Sequence, residues 1–395
     1  MKLVILSRTP EGPATARLVD VAVARGHAIQ IVDVLATTIG LGSGATPLSR
    51  ATGPIQPADG VIPRIGETIG EIGLAVLRQF EAGGAVALNS ADAIAGVRDK
   101  LHQLQRLHAA GVPTPRTAFA FRREDMAAAI AQVGGGPVVL KTFGGSGGIG
   151  VVLAESSSAA LSGLEALQAA GRPAMVQHFH AECRGRDVRA LVVDGHVVAA
   201  MRRIAAGDEF RGNLQRGGAG EPVALDDAAR AMAVAAATTL DLHVAGVDLL
   251  ETSDGPKVLE VNASPGLAGI EAVTGVDVAT AMIEHLEGLV RGVDRNAIGA
   301  PPGTGTCVVD ITVTEAARLS GGRLDAAGLS ARGVTVLSLR RGGRRLAAPA
   351  GDLFVQAGDV LTCRGGEATL RAVGGQLGQP ELAPVGRAPA GKSEP

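Results

Sequence analysis

The chain of 395 residues has no tryptophan and no tyrosine, and it has only seven phenylalanines. Proteins that bind single-stranded nucleic acid stack bases on aromatic side chains, so this composition argues against such a binder. The formal net charge of −2 also argues against a protein that binds nucleic acid through bulk positive charge. No apolar run reaches the length of a membrane span. We therefore expect a soluble cytoplasmic protein with neither direct nucleic-acid binding nor a membrane span.

Cysteine is also scarce. Cys183, Cys307 and Cys363 lie far apart and form no CxxC pair, so the sequence predicts neither a zinc site nor a disulfide framework. The spacing fits a protein of a reducing compartment.

Lysine is the scarcest of the common charged residues. Five lysines stand beside 32 arginines among the 37 basic residues, so most positive charge is placed on arginine. Lys100 on a predicted helix and Lys141 at the end of a predicted strand are therefore candidates for sites that need a compact point charge. For Lys100 a solvated helix face remains an equal alternative.

The most informative polar residues are two carboxylates and an amide on two apolar segments, 244–251 and 257–262, that are expected to pair as a hairpin. If residues 253–255 form a three-residue loop that ends in glycine, Asp248 faces Glu260 directly. Asn262 then lies on the same sheet face as Glu260. Such an all-oxygen acidic site suits Mg²⁺ or Mn²⁺. The alternative is a set of polar residues on the solvated face of the sheet.

A glycine-rich segment follows Lys141 and extends to Gly150. Gly145, Gly147 and Gly150 match GxGxxG, but a dinucleotide-binding turn must open into a helix, whereas this segment is predicted to open into a strand. A glycine loop between strands can still close over phosphates through its backbone amides. A flexible hairpin tip is the competing interpretation.

The pattern of elements predicts a fold of the α/β and α+β class. Strands and helices alternate over the first hundred residues, which predicts a small parallel sheet flanked by helices. Residues 40–57 are predicted as a loop, 98–110 and 278–291 as helices, and 293–306 as a Pro-Gly linker. A small strand-rich unit is expected from Cys307 to about Val373, and the tail from Gly375 is expected to be disordered.

Arginines cluster on and after a second predicted hairpin, formed by residues 187–193 and 196–203. On strand spacing, Arg203 and Arg211 could reach the acidic site and offset negative charge that develops during a reaction. For most of the other arginines in the cluster, surface solubility is the preferred interpretation.

Together these features resemble the ATP-grasp superfamily, and within it the ribosomal-protein glutamate ligases called RimK. The resemblance covers residues 1 to about 290 and rests on several segments. They are Pro63-Arg-Ile-Gly66, Ala95-Gly-Val-Arg-Asp-Lys100, Val138-Val-Leu-Lys141, residues 147–155, residues 208–213, residues 216–219 and Leu259-Glu-Val-Asn-Ala-Ser-Pro-Gly-Leu267.

The resemblance implies a pre-ATP-grasp domain at 1–97 and a two-lobed ATP-grasp domain at 98–292 that holds ATP between its lobes. It implies that Asp248, Glu260 and Asn262 bind two Mg²⁺ or Mn²⁺ ions. The other expected nucleotide-site residues are Lys100, Lys141, Gly145, Ser146, Gly147, Gly148, His178, Phe179, Asp187, Arg211 and Asn213. Arg203 and Arg211 are the candidate catalytic residues. The chain departs from the family at the interlobe strand that lines the adenine pocket, where it has Gln177-His178-Phe179 and family members carry an acidic residue followed by an aromatic one.

The implied reaction joins an amine to a carboxylate through an acyl phosphate. In the resembled family the amine is L-glutamate and the acceptor is the C-terminal carboxylate of the sixth small-subunit ribosomal protein. Another protein, a polyglutamate chain or a small metabolite remains an alternative acceptor. A non-catalytic nucleotide-sensing regulator of ion transport remains an alternative of a different class.

Residues 307–374 resemble the TrkA-C or RCK-C type of regulatory domain, a small α+β unit, on the segments 322–328, 333–340 and 348–361. This resemblance implies a homo-oligomer and a small regulatory ligand. The arginine-rich segment 340–345 is a candidate contact for that ligand, with a solvated turn as the alternative.

Overall fold

The computed structural model divides the chain into two compact units, residues 1–290 and 291–395. The structure describes residues 1–42, 46–66, 69–144, 149–212, 214 and 217–297. Of the C-terminal part it describes 306–315, 321–324, 329, 334–341, 344–347, 353–366, 370, 373 and 383–384.

The first hundred residues form the predicted parallel sheet, with strand order β2-β1-β6-β7. Its apolar strands are buried between helices because both faces of a parallel sheet are covered. The predicted loop 40–57 is partly wrong, since it contributes to a small three-stranded sheet, β3-β4-β5. The elements are β1 (Lys2–Leu6), α1 (Pro13–Ala24), β2 (Ala28–Val32), β3 (Thr38–Ile39), β4 (Leu48–Arg50), β5 (Gly53–Pro54), β6 (Gly60–Pro63), α2 (Gly70–Ala82) and β7 (Val86–Ala87).

The predicted helix 98–110 is present as α4 (Lys100–Ala109), and the helix before it, α3 (Ala91–Arg98), was not predicted. Asp99 separates them in an extended conformation, and its carboxylate accepts hydrogen bonds from the first amides of α4. An aspartate in this position caps a helix because it satisfies amides that have no partner within the helix. The break makes Lys100 the first residue of α4.

The next region is an antiparallel sheet with order β10-β9-β11-β8, which packs against two helices. Its core is aliphatic, and strand β9 is buried along its whole length. The elements are β8 (Thr117–Ala118), α5 (Arg123–Gln132), β9 (Val138–Thr142), β10 (Val151–Ala154), α6 (Ser157–Ala169) and β11 (Ala174–His178).

A five-stranded antiparallel sheet with order β14-β13-β12-β15-β16 follows. Strand β14 and helix α8 were not predicted, and α9 ends at Ala297, beyond the predicted end at Arg291 and within the predicted linker. The elements are β12 (Arg186–Val193), β13 (His196–Ile204), β14 (Ala219–Pro222), α7 (Asp227–Thr239), β15 (Val244–Thr252), β16 (Gly255–Asn262), α8 (Ala268–Thr274) and α9 (Val278–Ala297).

The C-terminal unit contains the expected strands, in the order β19-β18-β20-β17-β21 around an aliphatic core. Its strands are β17 (Thr306–Thr312), β18 (Thr335–Arg341), β19 (Arg344–Ala347), β20 (Val360–Gly366) and β21 (Ala383–Pro384). Strand β21 lies in the tail that was predicted to be disordered. Over the whole described part of the chain, no helix has the length and apolar character of a membrane span.

Candidate active site

A cavity of about 470 Å³ lies between the sheet that contains β9 and the sheet that contains β12, β15 and β16. One end is lined by charged side chains, among them Lys141, Arg203 and Asp248. The other end is lined by His178, Phe179 and several aliphatic residues. The cavity therefore combines a charged end with an aromatic and apolar end.

The hairpin of β15 and β16 brings two carboxylates together at the charged end. Its turn is one residue shorter than expected, since Thr252 pairs with Gly255. The register shifts by one residue between Asp248 and Leu249, which restores the expected pairing. Asp248 therefore pairs directly with Glu260, and Gly246 pairs with Asn262. A β-bulge adds one residue to one strand and changes which residues face each other. The expected facing pair is present, but the bulge produces it rather than the loop.

Asp248 is buried and held by two arginines. Arg189, its neighbour on β12, donates Nε and Nη2 hydrogen bonds of 2.7 Å to the two carboxylate oxygens. Arg203 Nη2 lies 2.9 Å from Asp248 Oδ2. Burial acts to raise the pKa of the Asp248 carboxyl, but the two guanidinium groups outweigh it and lower the pKa to about 2. Asp248 is therefore ionised.

Arg189 was not among the site residues selected from sequence. The signal that could have found it is its register opposite Asp248 on the adjacent strand, which requires the strand order β12-β15.

Glu260 has a different cation. Lys100 Nζ donates to Glu260 Oε1 at 2.9 Å, across the contact between α4 and β16. The Asp99 cap fixes the start of α4 and so positions Lys100. The structure therefore brings Lys100 to the acidic pair, where sequence alone left a solvated helix face as an equal alternative.

The donor set of Asp248, Glu260 and Asn262 fits a hard divalent cation. All three offer oxygen, and all three line the cavity. In the described part of the chain no cluster of three or more His, Cys, Asp or Glu side chains could hold a metal, and the candidate set here consists of two carboxylates and one amide. Such a set leaves much of the coordination to water and phosphate oxygens, as Mg²⁺ prefers.

Lys141 lies near the middle of the sheet, paired with Val151 on β10 and Met175 on β11. The residue is 7% exposed and lines the cavity. Burial lowers the pKa of its ammonium group to about 8, although the Glu260 carboxylate acts in the opposite direction. The side chain is a desolvated cation directed towards a cavity, a typical arrangement for an anionic ligand.

Asp187 is also buried, and it accepts a 2.6 Å hydrogen bond from Arg203 Nε. Burial raises the pKa of its carboxyl to about 6, against the opposing charge of Arg203. Arg203 thus bridges Asp187 and Asp248.

At the apolar end, the end of β11 contributes His178 and the following residue, Phe179. His178 Nδ1 donates to the Val133 carbonyl oxygen at 2.9 Å, and its ring packs edge-on against His180, with a centroid distance of 4.7 Å. The ring of Phe179 packs edge-on near that of Phe210. These rings form one wall of the cavity.

Arg211 also lines the cavity. Its guanidinium group donates to the Glu209 carboxylate at 2.7 and 2.8 Å and to the Val151 carbonyl oxygen at 3.2 Å. It therefore links the glycine-loop strand β10 to the segment after β13. Gly145, Ser146, Gly147, Gly148 and Asn213 were also selected from sequence, and they lie outside the described residues.

Two family models match the chain. Residues 1–94 match the RimK PreATP-grasp domain, and residues 97–286 match the RimK-like ATP-grasp domain. The chain belongs to the RimK-like ATP-grasp family. It is therefore an ATP-dependent ligase.

Curated relatives support this assignment. A probable alpha-L-glutamate ligase of Rhodopirellula baltica is 41% identical over 368 residues, which cover 92% of this chain and 90% of the relative. A probable alpha-L-glutamate ligase of Aeromonas salmonicida is 47% identical over 287 residues, which cover 73% of this chain and 96% of the relative. Since the first alignment leaves only about a twelfth of this chain uncovered, it extends well into residues 291–395.

Solved structures show the same fold. A RimK domain ATP-grasp protein of Sphaerobacter thermophilus has a TM-score of 0.55 at 24% identity, over 72% of this chain and 99% of that chain. The ATP-grasp ligase PsnB, solved with a minimal precursor, Mg and ADP, has a TM-score of 0.58 at 24% identity, over 73% of this chain and 98% of that chain.

Proposed function

We propose that this protein joins L-glutamate to a carboxylate through an acyl phosphate, at the expense of ATP. The observation that carries the proposal is the cavity in which Lys141, Lys100 and the set of Asp248, Glu260 and Asn262 meet. The named activity of the relatives supports glutamate as the amine substrate. The ADP and Mg bound in the related ligase support ATP and Mg²⁺ as the nucleotide and metal.

The two ends of the cavity suggest how ATP lies in it. An adenine ring fits the apolar end beside His178 and Phe179, because an aromatic base gains from contact with rings and aliphatic groups. The phosphates fit the charged end, where Lys141 supplies a desolvated ammonium group. Asp187 also lines the cavity and is proposed to accept hydrogen bonds from the ribose.

Phosphoryl transfer needs positioning and compensation of negative charge more than covalent help from the protein. The substrate carboxylate attacks the γ-phosphorus and ADP leaves, which gives an acyl phosphate; the amine of glutamate then displaces phosphate and forms the amide. Lys141, Lys100, Arg203 and Arg211 are proposed to hold the phosphates and offset the charge on the transferring group. Asp248, Glu260 and Asn262 would hold two Mg²⁺ or Mn²⁺ ions, which supply further compensation of phosphate charge when bound.

The acceptor is proposed to be the C-terminal glutamate of a small-subunit ribosomal protein in the cytoplasm, or a growing polyglutamate chain. Arg186, an exposed arginine that lines the cavity, supports an anionic acceptor. Residues 307–374 are proposed to be a regulatory module of the TrkA-C type that binds a small ligand and assembles the protein into a homo-oligomer. The length of the Rhodopirellula alignment supports a C-terminal unit that is shared with at least one relative.

Purified full-length protein tests the proposal directly. ADP release should depend on L-glutamate, Mg²⁺ and a peptide acceptor that ends in glutamate, and mass spectrometry should show the acceptor heavier by glutamyl residues. ADP release that is independent of every amino acid and acceptor, with no mass change, would contradict it.

A further inference from the structure

Arg64 is a partly buried guanidinium group at the edge of the candidate active site. It directly follows β6, and its amide donates to the Leu6 carbonyl oxygen at the end of β1. Strands β1 and β6 are parallel, so Arg64 lies at the carboxyl edge of the N-terminal sheet. Ligands of open α/β sheets bind outside this edge.

Two contacts connect this edge to the cavity. Arg64 Nη1 donates to the Pro265 carbonyl oxygen at 2.8 Å, and Ser264 Oγ donates to the Pro63 carbonyl oxygen at 3.3 Å. Ser264 and Pro265 line the cavity and closely follow Asn262. The guanidinium group therefore contacts a segment that lines the cavity and that closely follows Asn262.

Arg64 has no acidic partner among the residues that the structure describes. Burial lowers the pKa of its guanidinium to about 10, and no carboxylate of the described residues offsets this effect. A desolvated charge without a counterion is unfavourable, so the position favours an anionic ligand. One carbonyl oxygen accepts one of its five N–H donors, which leaves a planar fork suited to a carboxylate.

Three arginines that line the cavity are already paired with carboxylates. Arg189 binds both oxygens of Asp248, Arg203 bridges two aspartates, and Arg211 binds Glu209. A free amino-acid substrate brings at least one carboxylate that does not react. That carboxylate requires a cation that is not already paired with an acidic residue.

We infer that Arg64 is a specificity residue that holds a non-reacting carboxylate of the amino-acid substrate, and this inference rests on the proposed ligase function. A single free amino acid can be enclosed beside a partly buried group, whereas the tail of an acceptor protein must extend to solvent. Arg64 thus recognises the amine substrate and not the acceptor. For glutamate the held group is either the α-carboxylate or the γ-carboxylate.

Isothermal titration of L-glutamate into the full chain, with Mg²⁺ and AMP-PNP present, tests the inference without an acceptor. Arg64→Gln should raise the Kd of L-glutamate about thirtyfold, since a hydrogen-bonded charge pair is lost. The affinity for AMP-PNP should not change. Arg50→Gln, at an exposed arginine of the same domain, is the matched control and should leave both affinities unchanged.

Two analogues identify the carboxylate and separate recognition from a structural role. L-glutamine lacks the γ-carboxylate, and the α-amide of L-glutamate lacks the α-carboxylate. One of them should bind about thirtyfold more weakly than L-glutamate to the wild-type protein and almost equally to Arg64→Gln. Arg64→Lys should restore part of this difference in affinity, because lysine keeps the positive charge but lacks the planar pair of N–H donors. It also supplies the comparison if Arg64→Gln does not fold.

The failures are distinguishable. If the wild-type protein binds L-glutamate and the differences in affinity between L-glutamate and both analogues persist in the variants, Arg64 only connects two segments of the chain. The inference is then wrong. If the wild-type protein binds AMP-PNP but no L-glutamate under any condition, the proposed function is wrong and the assignment of Arg64 falls with it.

Discussion

Replacing Lys141 with Met should make the protein more stable and a poorer ATP binder. Met is similar in length to lysine but uncharged. The pKa of Lys141 is lowered from 10.5 to about 8, and each unit corresponds to ~1.36 kcal/mol. The charged ammonium group therefore costs the folded state about 3 kcal/mol at neutral pH. Lys141→Met should raise the free energy of unfolding at about pH 7 by up to this amount.

The sign of the pH dependence follows from the same shift. Since the folded pKa lies below the unfolded value, the unfolded state binds more protons between about pH 8 and pH 10.5. Wild-type stability should rise across this window, and the advantage of Lys141→Met should shrink as it does. Urea unfolding followed by circular dichroism at about pH 7 and about pH 10 measures both quantities. Lys2→Met, at an exposed lysine, is the control and should show neither effect.

The same substitution should weaken the binding of ATP. A cation about 4 Å from a phosphate oxygen contributes roughly 4 kcal/mol before desolvation, at an effective dielectric constant near 20. Isothermal titration should therefore show ATP affinity at least tenfold weaker in Lys141→Met. A variant that is less stable than wild type at about pH 7, or one that binds ATP equally well, would refute the reasoning.

Three further outcomes are expected. Glu260→Gln should keep the circular dichroism spectrum and lose turnover, because one charge of the acidic pair is removed; substantial activity at saturating Mg²⁺ would exclude the metal assignment. Glu287→Gln should lower the free energy of unfolding by about 3 kcal/mol at about pH 7, because Arg25 and His27 lose a buried carboxylate. Hydrogen bonds from Arg25 lower the pKa of Glu287 to about 2, so its contribution is present above about pH 4.5 and is lost as the pH falls towards 2; unchanged urea unfolding in the variant contradicts this. A chain that ends after Ala297 should fold and keep basal glutamate-dependent ATP turnover while losing an oligomeric state or a ligand response, as checked by light scattering and kinetics; failure to fold would show that the C-terminal unit is part of the core.

Local spacing predicted the elements that are long and strongly patterned. The hairpin of β12 and β13 and the helices α1, α5 and α7 lie within a few residues of their expected positions. Their signals are local, since periodicity and turn residues act over a few positions. Short elements such as β14 and α8 carry too few residues for a periodic signal, and both were missed.

The start of α4 shows how one residue sets the end of a helix. The sequence predicted a helix from residue 98, and the structure begins it at Lys100. The carboxylate of Asp99 caps the first amides of α4, and Lys100 donates to Glu260. Capping signals can be read from sequence, but whether a helix continues or restarts depends on what the following turn can contact.

In the candidate site, too, contacts within one hairpin were predicted from the sequence, and contacts between distant segments were not. The facing of Asp248 and Glu260 was expected because both lie on one hairpin, even though a bulge and not the loop length produces it. The contacts of Arg189 with Asp248 and of Arg64 with Pro265 join elements that are distant in sequence. The periodicity of apolar residues in the sequence does not predict such contacts, because they depend on the order of strands and on the packing of one sheet edge against another segment.

The charges at the acidic pair favour coupled binding of metal and nucleotide. Asp248 and Glu260 are held by Arg189, Arg203 and Lys100, so their oxygens already have cationic partners. At the proposed metal site a divalent ion would replace part of these contacts, and the released cations would then need another anion. Phosphate oxygens supply that anion and also coordinate Mg²⁺. Metal binding alone would leave the released arginine and lysine side chains without an anionic partner. Nucleotide binding alone would bring phosphates close to two carboxylates. Metal and nucleotide are therefore each expected to bind more favourably in the presence of the other.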